Sequence, residues 1–120
     1  MTNIVVESIF NYMVESSLQL DALFTALSDS TRRSILARVA EVEMSIGEIA
    51  EHYKLTFAAI SKHIKVLEKA QLVTKRRRGR EQVVIIVPST LDLAQEHIEK
   101  YAKMWGDRFD ALESLVKTIK

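Results

Sequence analysis

Between Lys54 and Arg80 the chain carries nine basic side chains against one acidic, whereas residues 1–53 carry three against eight and residues 81–120 five against seven. Positive charge packed so densely repels itself unless a polyanion lies against it, so nucleic acid is the expected partner; a plain solvated face is the alternative. The residue types in that window suit a duplex. Lys62 and Lys65 can pair with phosphates, and Ser61 and Thr56 can offer short hydrogen bonds. Ala58 and Ala59 leave room for close approach and can touch a thymine methyl. Arg76, Arg77, Arg78 and Arg80, along the wing and at its Gly79 tip, can reach backbone phosphates or an adjacent minor groove, although strand alternation keeps them from all facing one way; Gly79 and Arg80 are the leading tip contacts, with Arg78 and Arg76 next. His63 is placed either to reach a phosphate or to be satisfied within the protein. Arg32 and Arg33 fall in the first turn of a helix, where positive charge opposes the dipole; an outside anion would compensate them, and ordinary surface arginine is the alternative.

These side chains need elements to hold them. Leu20, Leu23, Phe24 and Leu27 recur at helical spacing and predict a helix over about 18–28, ended by Ser28-Asp29-Ser30-Thr31, which can cap a second helix carrying Ile35, Leu36 and Val39 inward. Ser45 and Glu48 match a capping box and open a short helix over about 46–53, with Ile49 and Ala50 inward. Lys54-Leu55 makes a turn. Thr56 caps the next helix, which runs to about Ala70 with Ile60, Ile64 and Leu67 on its inner face. From Leu72 the residues become strand-like, Gly79 permits a hairpin turn, and Gln82 to Val87 form the return strand up to Pro88. A last helix over about 90–119 carries a long apolar stripe that includes Leu91, Ile98, Tyr101, Trp105, Phe109 and Leu112. The fold class is thus mainly α with a small β-hairpin, a winged helix-turn-helix. The final stripe outruns what so small a body can cover, which predicts burial against a second copy; Tyr101, Trp105 and Phe109 could instead cage a ligand. Residues 1–17 read as an N-terminal extension and 18–120 as a single domain.

Composition narrows the class further. At 120 residues, 48% hydrophobic and 28% charged, the chain has enough core to fold alone. It has no cysteine, which excludes disulfides and thiolate metal sites and suits the cytoplasm. The longest apolar run, Val83 to Val87, is far short of the ~20 residues that span a bilayer, so membrane insertion is not expected. With three histidines, no cysteine and no glycine-rich phosphate loop there is no nucleophile-base constellation, and an enzyme is not expected.

The segments "ALSDSTRRSIL", "ISKHIKVLEKAQLV" and "YAKMWGDRFDALESL" carry a closer likeness. Over about 100 residues the sequence resembles the ArsR-type winged helix-turn-helix repressors, specifically their metal-free branch. The resemblance implies a homodimer formed through the first and last helices, adding Leu20 and Phe24 to the expected interface, that represses a promoter from an inverted-repeat operator until a signal releases it. That signal would be an unidentified effector or a sequestering protein. Where such proteins carry a cysteine pair this chain reads "IAEHYKL", and the last helix offers Asp92, Glu96, His97 and Glu99 without the paired histidines of the zinc-sensing pattern. No metal and no cofactor is therefore expected; a metal-responsive repressor with a non-cysteine site is the alternative. Where relatives have Gln, Ser or Pro at the start of the recognition helix, this chain has Phe57-Ala58-Ala59. Such proteins commonly begin near the position of Met13, and Ile4, Val5, Val6, Ile9 and Phe10 would suit packing on the dimer. A rival from another class is a winged helix that has lost specific DNA binding and docks a partner protein.

Overall fold

Side-chain caps and one left-handed residue set the boundaries of the helices in this computed structural model, which describes residues 2–119 apart from the side chains of 2–4, 10, 12–16 and 119. The expected roles of Ile4, Phe10 and Met13 lie outside the described residues. The first helix, α1, spans Thr2–Leu27 without a break, well beyond the predicted 18–28. In the sequence of its first half Val6, Ile9, Phe10, Met13 and Val14 fall at i, i+3, i+4, i+7 and i+8, a helical apolar spacing, and no Pro or Gly stands anywhere in the segment to stop it. Helix α2 (Ser30–Glu41) starts at Asp29, whose carboxylate accepts the Arg32 backbone N–H at 3.0 Å. Strand β1 (Met44–Ser45) leads directly into α3 (Ile46–Ala50), capped by the Ser45 hydroxyl, which accepts the Glu48 N–H at 3.1 Å.

Helix α3 is shorter than the predicted 46–53, because its last turn tightens: the His52 N–H donates to the Ile49 carbonyl and the Tyr53 N–H to the Ala50 carbonyl. Helix α4 (Phe57–Lys69) starts at Thr56, whose hydroxyl accepts the Ala59 N–H at 3.1 Å. It closes on Gln71, which takes φ +61° while the Gln71 N–H reaches the Glu68 carbonyl and the Leu72 N–H the Leu67 carbonyl, both at 3.0 Å. This is a Schellman ending, with glutamine at the position where glycine is usual.

Strands β2 (Val73–Arg78) and β3 (Glu81–Ile86) form the hairpin around Gly79, whose φ of +63° glycine adopts without strain. The hairpin is not alone. Strand β1 adds a third antiparallel strand, giving the order β1-β3-β2, with Ser45 opposite Val83 and Arg76 opposite Val83 on the other side. Two residues are too few to show a strand period, so the sequence pattern does not reveal β1.

The unit that ends at Pro88 has one core: Leu23, Ile35, Ile49, Ile60, Ile64, Leu67, Leu72, Val73, Val83 and Val84 are almost wholly buried, and α4 packs on α1, α2, α3 and β2. Each such aliphatic side chain contributes roughly 1.5–3 kcal/mol, which holds a 13-residue helix that would be marginal by itself. The second unit, from Ser89, is helix α5 (Pro88–Ile119) apart from its leading proline. Within it Leu91 is half-buried, while Ile98, Tyr101, Met104, Trp105, Phe109, Leu112 and Leu115 are each 51–63% exposed. The Trp105 and Phe109 ring centroids lie 6.2 Å apart and the Arg108 guanidinium sits 5.7 Å from the Trp105 ring. Among the described residues no helix is long and apolar enough to cross a membrane.

The caps lend themselves to two stability tests. Gln71→Gly relieves the left-handed strain and should stabilise the chain by about 0.5–1 kcal/mol in urea unfolding, net of the greater freedom glycine gives the unfolded chain. A loss of stability would show that the exposed Gln19–Gln71 hydrogen bond outweighs the strain. Asp29→Asn keeps a capping oxygen and removes the charge. The carboxyl is held below its ordinary value of 3.8, first by the Arg32 backbone N–H and then by the neighbouring Arg32 and His63 side chains, against the opposing effect of desolvation. Its charge therefore stabilises the fold above the unfolded value and stops doing so as pH falls through the lowered folded value. Thermal unfolding should find wild type the more stable near neutrality and the two proteins converging in acid.

Candidate nucleic-acid interface

Helix α4 buries Ile60, Ile64 and Leu67, and its period of 3.6 then puts Ala58, Lys62, Lys65 and Lys69 outside, with Ala59, Ser61 and His63 half-buried beside them. Across from this stripe stands the hairpin. Ala58, Ser61, Lys62 and Lys65 of α4, Lys75 and Gln82 of the hairpin and Ile46 of α3 line an open cleft of about 430 Å³. Among the described residues Lys62, Lys65 and Lys69 have no ion-pair partner, whereas Lys75 reaches Glu68 at 3.3 Å. The cleft between helix and hairpin thus has cationic walls and no carboxylate among its lining residues.

The hairpin divides its arginines by face. Arg76 pairs with Glu43 at 3.0 Å, and Arg78 pairs with Glu48 at 3.0 Å and Glu81 at 3.3 Å. Lys75 and Arg77 share the opposite face with Gln82, since Arg77 stands opposite Gln82 in the ladder and both Lys75 and Gln82 line the cleft. Arg77 donates from Nε to the Gly79 carbonyl at 3.1 Å, and Arg80 projects at the turn without an ion pair among the described residues. Sequence reasoning makes Arg76 and Arg78 free wing contacts; they are instead engaged with body carboxylates. Such exposed pairs are worth at most about 1 kcal/mol, so they bias these arginines without locking them. The same reasoning passes over Lys75 and Gln82, and it names Arg77 among the wing arginines while preferring Arg80, Arg78 and Arg76, although strand alternation sets Arg77 on the face of Lys75.

Arg32 and Arg33 turn to the protein itself. Arg32 Nε donates to the Ala26 carbonyl at 2.7 Å and Nη2 to the Thr25 carbonyl at 2.9 Å, and Arg33 Nη1 donates to the Leu27 carbonyl at 2.7 Å. These are the last carbonyls of α1, the negative end of its dipole. The end of the neighbouring helix thus supplies partial negative charge to both arginines. Arg32 Nη1 also lies 3.4 Å from His63 Nδ1, and His63 Nδ1 lies 3.9 Å from Asp29. Of the two sequence readings of His63, the internal one describes what the ring touches.

Ser45, Ile46, Gly47, Phe57, Arg80, Glu81 and Gln82 line a second open cleft of about 340 Å³ where the first turns of α3 and α4 meet the hairpin tip. Among the described residues no three His, Cys, Asp or Glu side chains are grouped so as to hold a metal ion.

Known proteins carry the same arrangement. A family model described as "Bacterial regulatory protein, arsR family" matches residues 29–75, from the cap of α2 into β2. The chain is 33% identical over 81 residues to the HTH-type transcriptional regulator Rv2034 of Mycobacterium tuberculosis, covering 68% of this chain and 76% of that protein. It is 37% identical over 60 residues to the transcriptional repressor SdpR of Bacillus subtilis, covering 50% of this chain and 67% of that one. Among solved structures, an ArsR-like transcriptional regulator from Rhodococcus sp. RHA1 superposes with a TM-score of 0.79 at 26% identity, over 89% of this chain and 98% of that chain. With its helix-turn-helix, three-stranded wing and basic cleft, the chain belongs to the ArsR family of bacterial regulatory proteins.

Proposed function

We propose that this chain is a sequence-specific, double-stranded-DNA-binding transcriptional repressor that acts as a homodimer on an inverted-repeat operator in the bacterial cytoplasm. The observation that carries the reading is the cleft between α4 and the hairpin, where Lys62 and Lys65 stand exposed without ion-pair partners among the described residues. A duplex entering there meets α4 in its major groove, with Ser61 and Lys62 toward base edges and Lys65 and Lys69 toward phosphates. Arg77 and Arg80 reach the flanking backbone. Arg76 and Arg78 contribute less, because Glu43, Glu48 and Glu81 already neutralise them.

A second copy supplies the second half-site. The apolar stripe of α5, from Ile98 to Leu115, is more than half exposed at every large residue named above, and on α1 Leu18 is 62% and Phe24 39% exposed. Soluble proteins rarely leave so long a row of large apolar side chains open, and a self-complementary pairing covers it at no cost in specificity. Repression by occupying a promoter needs only these parts: two recognition helices, two wings and an interface. No metal or cofactor enters the mechanism.

Binding should depend steeply on salt. If each subunit neutralises about four phosphates, through Lys65, Lys69, Arg77 and Arg80, the slope of log affinity against log salt is near −7, and a slope flatter than about −2 would contradict an electrostatic footing. Fluorescence anisotropy on a labelled duplex across a salt series measures it. In the same assay Arg80→Ala should make the slope shallower by about 1 for each phosphate that the arginine no longer neutralises, while Arg76→Ala, whose guanidinium rests on Glu43, should leave it nearly unchanged. The reverse order would mean that the wing binds with its other face.

A further inference from the structure

The first turn of α4 is apolar on its outer side. Thr56 commits its hydroxyl to the Ala59 N–H, and the three residues that follow, Phe57, Ala58 and Ala59, have no hydrogen-bonding side chain. Phe57 is nevertheless 59% exposed, while Ile60 in the same turn is completely buried. Neither the cap nor the core calls for a phenyl ring at this position, since Thr56 makes the first and Ile60, Ile64 and Leu67 supply the second. The ring borders the cleft it shares with Ile46, Gly47, Arg80 and Glu81. Cationic side chains flank this apolar tip, with Lys62 and Lys65 further along α4 and Arg80 on the hairpin.

With the Glu81 carboxylate paired with Arg78 at 3.3 Å, a partner that is apolar opposite the ring and anionic toward Arg80, Lys62 and Lys65 suits this end of α4. A duplex presents that pairing in its major groove, where the C5-methyl of thymine is the apolar group on the floor and phosphates form the walls. The turn holds no Asn, Gln or Arg with which to read adenine or guanine by paired hydrogen bonds. We infer that Phe57 is a specificity-determining residue that reads a thymine C5-methyl group in each operator half-site, with Ala58 small enough to let the ring approach. The inference rests on the DNA-binding reading above and adds which base the first turn selects and by what chemistry.

Deoxyuridine tests it, because it lacks that methyl and keeps every hydrogen-bonding group of thymine. Duplexes recovered from a random-sequence pool by binding to the full chain are resynthesised with each thymine replaced in turn, and affinity is measured by anisotropy. Replacing one particular thymine in a single half-site should weaken wild-type binding roughly fourfold, the worth of one buried methyl group, and about fifteenfold when its counterpart in the other half-site is replaced as well. Phe57→Ala should bind the thymine and uracil duplexes equally, with an unchanged melting temperature and, since no charge is removed, the wild-type salt slope. An operator in which no thymine is sensitive to the replacement overturns the inference while leaving the regulator reading intact. A uracil penalty that persists in Phe57→Ala also overturns it, because the methyl would then be read by another residue. A pool that yields no enriched sequence removes the regulator reading and this inference together.

Discussion

Ser45 belongs to two elements at once, and the relation between them sets the rest of the interface. Its backbone pairs with Val83 of the hairpin, its hydroxyl caps α3, and it is 1% exposed. One buried residue therefore joins the wing to the helix-turn-helix. A buried hydroxyl left without its N–H partner costs roughly 1–3 kcal/mol, so rotating the hairpin away from α3 is opposed by the cap as well as by the ladder. With that junction fixed, Lys75 and Gln82 face α4 and Arg76 and Arg78 face Glu43 and Glu48, and the cationic cleft has its shape before any duplex arrives.

A second junction holds the recognition helix from behind. Arg32 connects three helices: it donates to the terminal carbonyls of α1, its backbone N–H is held by Asp29 at the start of α2, and its guanidinium meets His63 on α4. On the opposite edge of α2, Tyr53 at the end of the α3 turn accepts from Arg38 at 3.2 Å, shares a 2.7 Å hydrogen bond with Ser34 and lies under the Arg38 guanidinium. Polar contacts of this kind contribute modestly to stability; the Arg32–His63 contact ties α4 to α2, and the Tyr53 contacts tie the α3 turn to α2. The outer face of α4 is then free to carry the lysines and Phe57, because its orientation depends on contacts made elsewhere.

What is legible in the sequence is what is local. The capping oxygens of Ser45 and Thr56, the glycine turn at Gly79 and the inner faces of α2 and α4 depend on neighbours within a few residues, and their signals are accordingly strong. The features that escape depend on distance along the chain. Nothing near Arg32 in the sequence shows that the end of α1 folds against it, and nothing near Arg76 or Arg78 points to Glu43 or Glu48, some thirty residues away. Strand β1 is too short to have a period, whereas the first half of α1 is written in the helical spacing of Val6, Ile9, Phe10, Met13 and Val14. Phe57 is visible as a departure from the family's usual residues, but its exposure becomes meaningful only once Ile60 is seen to occupy the core beneath it.

Entry of α4 into a major groove and entry in symmetric pairs are tested together by hydroxyl-radical footprinting of the upstream region of the gene or of a pool-selected duplex. The expected result is protection on both strands in two blocks related by a two-fold axis, with half-site centres separated by about 10–10.5 base pairs or a multiple of that spacing. Protection confined to a single unsymmetric block would contradict the dimeric arrangement. No protection at any salt concentration, on either duplex, would contradict the assignment of the basic cleft to DNA.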